Sequence, residues 1–153
     1  MKIHEIGKDL LILCSLIINS LMYLFSGLFR RNEKHMVFGA WGGNKYSDNP
    51  RYLLEALQKD PSLELYWVGK STLKDLPIFQ HRNVHFLKRG SLKAYLQILR
   101  SKNVYFSNSY RDLGYINLLN GATVTQLWHG FGLKNTLSAK KKISRLLKSS
   151  ITT

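Results

Sequence analysis

The sequence predicts an α/β protein, a Rossmann-like parallel sheet preceded by an N-terminal hydrophobic helix. Three observations support this prediction. Short apolar runs alternate with helix-like segments from residue 36 to residue 128. These apolar runs have the composition of strands that are buried on both faces, as in parallel sheets. Ahead of them, twenty residues from Leu10 to Phe29 contain no charge.

The apolar run LLILCSLIINSLMYLFSGLF would extend about 30 Å as a helix, which is the thickness of the hydrocarbon core of a bilayer. It is long for a signal peptide, and no small-residue cleavage site follows it. A helix that spans the membrane and a helix that lies in its surface both remain open. Three polar residues fall near one helical face, which would turn toward protein or headgroups. They are Ser15, Asn19 and Ser26.

Basic residues follow the apolar run directly, at Arg30, Arg31 and Lys34. In this position they suit the anionic headgroups of a cytoplasmic membrane face. We therefore expect attachment to the cell membrane. Lys2 and Lys8 lie on the other side of the run, so charge alone favours one orientation only weakly.

Five strands and two helices are predicted after residue 34. The strands lie at 36–41, 63–69, 83–88, 103–108 and 122–128, and the helices at 51–59 and 91–100. Asn49 is predicted to cap the first helix, with Pro50 in the favoured first position, and Ser91 to cap the second.

Three segments result from these assignments. They are a membrane-anchoring helix over 1–33, a Rossmann-like lobe over 34–134 and a basic tail over 135–153. Six Lys or Arg residues lie between 134 and 148. The tail is predicted either as a basic surface helix or as a disordered end.

The composition narrows the classes of partner. With 23 Lys and Arg against 9 Asp and Glu, the formal charge is +14, which indicates anionic partners such as nucleic acid, acidic lipids or phosphorylated substrates. The single cysteine, Cys14, excludes a disulfide framework and a thiolate metal site. His81 and His85 lie about 13 Å apart along an extended chain, too far to share a metal ion. We expect no metal and no cofactor.

Ligands of open α/β sheets gather at the carboxyl ends of the strands, and two loops fall there. The first contains Gly39, Gly42, Gly43 and Asn44 after a predicted strand. Glycine N–H groups beside a helix N-terminus can bind an anion, although a tight turn that needs glycine conformations explains the pattern as well. The second loop begins at His129, which is either a packed or surface histidine or a general base for an attacking hydroxyl.

Three stretches together resemble the CDP-glycerol glycerophosphotransferases of teichoic acid synthesis. They are FGAWGGNKYSDNPRYLLEAL (38–57), LYWVGK (65–70) and GATVTQLWHGFGLK (121–134). The resemblance covers about a hundred residues and implies the first lobe of a glycosyltransferase-B (GT-B) fold, in which two Rossmann-like lobes face a cleft. It further implies a cytoplasmic enzyme attached to the membrane, and we therefore expect the protein on the cytoplasmic face of the cell membrane. Such an enzyme transfers glycerol phosphate from CDP-glycerol, or ribitol phosphate from CDP-ribitol, to a hydroxyl of a lipid-linked acceptor and releases CMP.

The resemblance also assigns site residues. It implies that His129 is the catalytic base and that Gly130 and Lys134 line the same cleft. The other cleft-facing loop would contain six residues with a substrate-binding role, namely Gly43, Asn44, Tyr46, Ser47, Asp48 and Asn49. The sequence departs from the family at Gly132, where members usually have proline. The nucleotide-binding second lobe of the family is expected beyond the chain, with the basic tail over 135–153 as a truncated connection to this C-terminal lobe.

Two further functions compete with the transferase interpretation. A non-catalytic, membrane-anchored module would bind polyanionic polymer or a partner subunit through the same basic surface. Nucleic-acid binding agrees with the charge, but the sequence contains no helix-turn-helix, RNA-recognition or zinc motif, and the apolar run argues against it.

Overall fold

The computed structural model describes the backbone of residues 2–128 and the side chains of residues 10–128. Helix α1 (Lys2–Ser26) comes first, followed by β1 (Asn32–Gly39), α2 (Asp48–Leu57), β2 (Glu64–Gly69), β3 (Val84–Lys88), α3 (Leu92–Arg100), β4 (Ser101–Phe106) and β5 (Thr123–Gln126). Short 3-10 turns lie at Trp41–Gly43, Ser71–Leu73, Pro77–Gln80 and Tyr110–Asp112.

The five strands form one parallel sheet in the order β3-β2-β1-β4-β5. Val37 of β1 lies opposite Tyr66 on one side and Val104 on the other, which places β1 in the middle. The predicted parallel α/β sheet is confirmed. The chain runs outward from β1 through β2 to β3 and then returns to the other side of β1, so the strand order reverses between β1 and β4.

Alternate residues of the strands point to two separate cores. On one face Val37, Val68 and Val104 pack against α3, together with Met22 of α1. On the other face Phe38 and Trp67 pack against the apolar side of α2. Helices therefore cover both faces of the central strands, which explains their continuous apolar sequences.

β5 departs from this pattern, because all four of its residues are exposed. The prediction that the strand before Trp128 is buried on both faces is wrong. β5 is an edge strand that pairs with β4 alone, and no described element covers its faces. Its polar sequence, Thr-Val-Thr-Gln, fits an edge better than a core.

The helix starts show one correct and one incorrect prediction. The Ser91 hydroxyl accepts a hydrogen bond from the amide of Ala94 at 3.2 Å and caps α3, as predicted. α2 begins at Asp48, with Ser47 in the capping position. Asn49 therefore does not cap α2.

α1 attaches to the sheet domain through polar contacts near its C-terminal end. The side chain of Asn19 accepts a hydrogen bond from the amide of Asn117 at 3.1 Å, and the hydroxyl of buried Ser26 accepts one from the amide of Asn120 at 3.1 Å. The polar face of α1 therefore turns toward protein at these two residues. Within the described part of the chain, no helix combines the length and the apolar character required to cross a membrane.

Arg31 has a different environment from the predicted one. Its guanidinium donates five hydrogen bonds of 2.8–3.1 Å to four backbone carbonyls, those of Ile98, Ser101, Leu118 and Asn120. Two of these carbonyls lie at the C-terminal end of α3, where a helix leaves carbonyls unpaired and where a positive charge is favoured. Burial lowers the pKa of Arg31. The prediction that Arg31 contacts lipid headgroups is wrong, because its donors bind the protein.

Candidate functional site

Six of the nine predicted site residues lie together at the carboxyl-terminal edge of the sheet. They occupy the loop after β1 and the first turn of α2, and they are Gly43, Asn44, Tyr46, Ser47, Asp48 and Asn49. This loop stands where the strand order reverses, the place at which open α/β sheets bind ligands. The other three, His129, Gly130 and Lys134, lie outside the described residues.

The glycine-rich segment forms a tight turn whose N–H groups bind within the protein. The amide of Gly42 donates to a carboxylate oxygen of Asp112 at 2.7 Å, that of Gly43 to the carbonyl of Ala40 at 2.8 Å, and that of Asn44 to the carbonyl of Trp41 at 3.0 Å. These bonds support the interpretation as a turn. An anion would have to displace them to reach the same N–H groups.

Gly43 occupies a position that only glycine fits. Its φ is +78°, and a Cβ there would lie 2.6 Å from Cδ of Arg89 and 3.3 Å from Cα of Gly69. Its carbonyl also accepts a hydrogen bond from the amide of Lys70 at 2.7 Å. Gly43 thereby brings the loop after β1 into contact with the end of β2.

A buried carboxylate links the loop after β1 to the loop after β4. Besides the amide of Gly42, Asp112 accepts the amide of Asn108 at 2.8 Å and the hydroxyl of Ser107 at 3.3 Å. A carboxylate is acceptor-only when ionised, so three donors from two loops suit it. No local sequence signal identifies Asp112, since it belongs to no motif and its partner Gly42 lies 70 residues away.

Tyr46 is part of the core beneath the loop. Its ring lies edge-on to Trp67 at 4.6 Å and to Phe79 at 5.7 Å between centroids. Burial, followed by the nearby charge of Glu55, raises the pKa of the Tyr46 phenol far above its usual range. The described contacts therefore give Tyr46 a packing role.

Asp48 is held by the loop that precedes it. The indole N–H of Trp41 donates to the carboxylate of Asp48, and both residues have positive φ, +50° and +64°. The hydroxyl of Ser47 between them is buried without a hydrogen-bond partner among the described residues. Non-glycine residues with positive φ are uncommon and cluster at functional loops.

Asn49 reaches across the site to the end of β5. Its side-chain amide donates to the carbonyl of Leu127 at 2.7 Å and to that of Trp128 at 3.2 Å. Beside this contact, the Gln126 amide donates to the carbonyl of Asn108 at 2.8 Å. The loops after β1 and β4 are thus both bonded to the strand that leads to His129.

Positive charge surrounds this edge of the sheet. Lys45, Lys70 and Arg111 are exposed and follow β1, β2 and β4. Arg89, which follows β3, donates to the carbonyl of Arg111 at 2.8 Å and stacks on Tyr115 at 4.1 Å. These exposed cations give this edge a positive potential that attracts phosphate groups. Across residues 10–128, no three His, Cys, Asp or Glu side chains are placed to hold a metal ion together.

The family model that matches this chain and its sequence relatives agree with each other. The sequence model of the CDP-glycerol:poly(glycerophosphate) glycerophosphotransferase family matches residues 21–149. A teichoic acid poly(glycerol phosphate) polymerase of Bacillus spizizenii is 33% identical over 120 residues, covering 76% of this chain and 29% of the relative. A teichoic acid glycerol-phosphate transferase of Staphylococcus aureus is 32% identical over 120 residues, covering 78% of this chain and 30% of the relative.

Solved structures agree with these sequence relatives. The wall teichoic acid polymerase TagF superposes with a TM-score of 0.57 at 25% identity, over 85% of this chain and 32% of TagF. A histidine-to-asparagine variant of TagF soaked with CDPG gives a TM-score of 0.55 at 24% identity, over 85% of this chain and 33% of the variant.

The chain spans about 30% of the length of the two curated relatives described above. The family match nevertheless extends over most of this chain and includes the loop after β1, β5 and the segment that contains His129. The chain belongs to the CDP-glycerol:poly(glycerophosphate) glycerophosphotransferase family.

Proposed function

We propose that this chain is the N-terminal lobe of a GT-B-type transferase that moves glycerol phosphate from CDP-glycerol to a hydroxyl of a lipid-linked teichoic acid acceptor. The observation that carries the proposal is the family match, which includes the loops at the carboxyl-terminal edge of the sheet. A second lobe supplies most of the nucleotide-binding residues.

The proposed reaction is a single displacement at phosphorus. The acceptor oxygen forms a bond to the phosphorus that carries glycerol, and the bond from that phosphorus to the CMP oxygen breaks. His129 takes the proton of the attacking hydroxyl, and CMP leaves with the bonding electrons. Lys134 offsets phosphate charge, Gly130 lines the cleft, and the exposed Lys45 and Lys70 add positive potential.

The proposed location is the cytoplasmic face of the cell membrane. From residue 10 onward, α1 exposes a large apolar surface that continues just past its end, which supports membrane contact. The exposed residues are Leu10, Leu11, Ile12, Leu13, Leu16, Ile17, Ile18, Leu21, Leu24 and Phe25 of the helix, followed by Leu28 and Phe29. This contact would keep the catalytic edge close to a lipid-linked acceptor.

The first experiment determines the native polypeptide and its activity. Antibodies against residues 36–128 are used to blot membranes of the source cells and to purify the protein, which is then assayed with radiolabelled CDP-glycerol and a lipid-linked acceptor. We expect a band much heavier than 17.7 kDa and transfer that is lost in His129→Ala. His81→Ala is the matched control, because exposed His81 lies in the turn before β3, away from the site.

Normal transfer by His129→Ala would remove His129 from the mechanism. A band at 17.7 kDa without transfer would refute the enzymatic proposal.

A second candidate, the non-catalytic module, is favoured by a basic cavity at the opposite edge of the sheet. The cavity of about 920 Å³ lies beside the start of β1, and its basic lining residues outnumber its single acidic one. It is lined by Arg30, Arg31, Asn32, Glu33, Lys34, His35 and Arg100. Such a surface would bind polyanionic polymer or anionic headgroups without any chemistry at His129. Polymer binding that is lost in Arg30→Ala and Arg100→Ala, by a protein without transfer activity, would support this candidate.

A further inference from the structure

Asn49 is the side chain that connects the loop after β1 to the end of β5. Its amide nitrogen donates to the carbonyls of Leu127 and Trp128, 78 and 79 residues away in the sequence. We propose that Asn49 is a positioning residue that fixes the backbone leading into His129, and that it does not bind substrate. The proposal rests on the proposed function, in which His129 is the general base.

The end of β5 needs such a contact. Among the described strands, the exposed β5 pairs with β4 alone. The amide of Leu127 makes the final bond between the two, to the carbonyl of Phe106 at 2.8 Å. Trp128 then turns the chain with a φ of +58°, an unusual value for a bulky residue. Its side chain is 62% exposed, so packing does not hold it. The direction of the chain after Leu127 therefore depends on bonds to its backbone.

Asn49 is itself well fixed. It lies in the first turn of α2 between Asp48, whose carboxylate accepts the Trp41 indole N–H, and the buried Pro50. One turn later, Leu54 of the same helix is fully buried. Because α2 is packed, the amide of Asn49 holds the end of β5 in a fixed position relative to this helix. A general base needs this kind of support, because small errors in its position reduce the rate strongly.

The hydrogen-bond capacity of Asn49 argues against contact with a phosphate. A side-chain amide has two N–H hydrogens, and its nitrogen makes two hydrogen bonds here. The remaining oxygen is an acceptor, which does not suit an anionic oxygen. Asn49 could donate to a phosphate only by releasing the end of β5.

The first arm of the test measures the backbone directly, by amide hydrogen exchange of the 153-residue chain. We expect exchange of the Leu127 amide to accelerate about tenfold in Asn49→Ala, because two hydrogen bonds that hold the strand end are lost. Asn49→Asp should behave in the same way at pH 7, since a carboxylate has nearly the same shape and no N–H donor.

Asn103→Ala is the matched control. The amide of Asn103 also donates to a backbone carbonyl of a distant residue, that of Glu33 at 2.9 Å, but at the amino-terminal edge of the sheet. Its removal should leave exchange at Leu127 unchanged. Unchanged exchange at Leu127 in Asn49→Ala, or equal acceleration in Asn103→Ala, would overturn the proposal.

The second arm separates positioning from substrate contact in the native polypeptide. We expect Asn49→Ala to lower kcat about a hundredfold while KM for CDP-glycerol stays within about twofold of the unmodified protein. A raised KM with normal kcat and normal exchange would make Asn49 a substrate contact and overturn the proposal. If the unmodified polypeptide shows no transfer, the proposed function fails, and the exchange arm still decides whether Asn49 holds the end of β5.

Discussion

The two edges of the sheet are organised in different ways. At the amino-terminal edge, the guanidinium of Arg31 joins β1, the end of α3 and the segment before β5 through five hydrogen bonds. At the carboxyl-terminal edge, short side chains each join only two segments. Asp112 links the loops after β1 and β4, and Asn49 links α2 to the end of β5.

Under the proposed function, this difference separates stability at one edge of the sheet from catalysis at the other. At the amino-terminal edge, one guanidinium binds several backbone segments at once. These segments therefore have few alternative arrangements relative to one another. Several weaker links at the carboxyl-terminal edge fix the loops relative to one another and leave exposed cations for a ligand. We therefore expect changes at Arg31 to affect mainly the free energy of unfolding, and changes at Asp112 to affect the loops more than the fold.

The largest expected effect is that of Arg31. Arg31→Ala should lower the free energy of unfolding by about 3 kcal/mol, because four backbone carbonyls lose charged donors. Arg31→Lys should lower it by about 2 kcal/mol, since an ammonium keeps the charge but not the planar set of five donors. Urea unfolding in detergent micelles, followed by tryptophan fluorescence, measures both values.

Arg30→Ala is the control for charge in the same segment. Arg30 is exposed, and its loss should change the free energy of unfolding by less than about 0.5 kcal/mol. Equal losses from Arg30→Ala and Arg31→Ala would mean that net charge, and not the hydrogen bonds of the guanidinium, stabilises this edge.

A smaller effect is expected at Asp112. Asp112→Ala should lower the free energy of unfolding by about 2 kcal/mol, because the amides of Gly42 and Asn108 lose their acceptor inside the protein. Asp112→Asn should cost less, about 1 kcal/mol, since one acceptor oxygen remains.

Hydrogen exchange at Gly42 and Asn108 shows whether the loss is local to the loops. Both amides should exchange faster in Asp112→Ala. Exchange of the Val37 amide in the central strand should accelerate only by the amount that the lower free energy of global unfolding accounts for. Asp75→Asn, at an exposed carboxylate, is the control. Normal exchange at both loop amides in Asp112→Ala would show that the two loops do not depend on this carboxylate.

The sequence was sufficient for the fold because the signals of a parallel sheet are local. Apolar runs and helix periodicity located the five strands and both helices after residue 34, and the Ser91 cap was visible in a window of four residues. The strand order and the exposure of β5 depend on which elements pack together, which no local window contains. Within the sequence, only the polar residues of β5 indicate an edge strand.

The position of the loop after β1 was predictable from the sequence, but its contacts were not. The loop after β1 lies where the strand-end rule placed it, yet its N–H groups bind the protein. Asn49 is of a residue type that often caps helices, but its side chain donates instead to a carbonyl 78 residues away. Arg31 follows an apolar run, which suggested headgroups, while its carbonyl partners are 67 to 89 residues distant. Long-range partners decided each of these roles.

The smallest expected effect is a pH dependence at the amino-terminal edge, centred on His35. Its Nδ1 lies 2.9 Å from the side-chain amide nitrogen of Gln97 on α3. Burial lowers the pKa of His35, the charges of Arg100 and His85 lower it further, and the charge of Glu64 raises it. The folded protein therefore favours the neutral ring, which can accept the hydrogen bond from Gln97.

The sign of the pH effect follows from this preference. A histidine whose pKa is lower in the folded state stabilises the protein fully above its unfolded pKa of about 6.5 and loses that contribution as the pH falls below it. Urea midpoints at pH 7.5 and 5.5 should show this loss in the unmodified chain. The loss should be smaller in His35→Ala and unchanged in His81→Ala, whose histidine is exposed.

Gln97→Glu sharpens the test by reversing the sign. A carboxylate in place of the amide would accept a hydrogen bond from a protonated Nδ1. The charged ring would then be favoured, and the pKa of His35 would rise. Stability attributable to His35 would then increase as the pH falls through about 6.5. The same pH slope in Gln97→Glu as in the unmodified chain would show that His35 does not couple protonation to the packing of α3. In either case the change should stay at the amino-terminal edge, with exchange at Leu127 unaffected, because no link between the two edges passes through His35 or Gln97 in the described contacts.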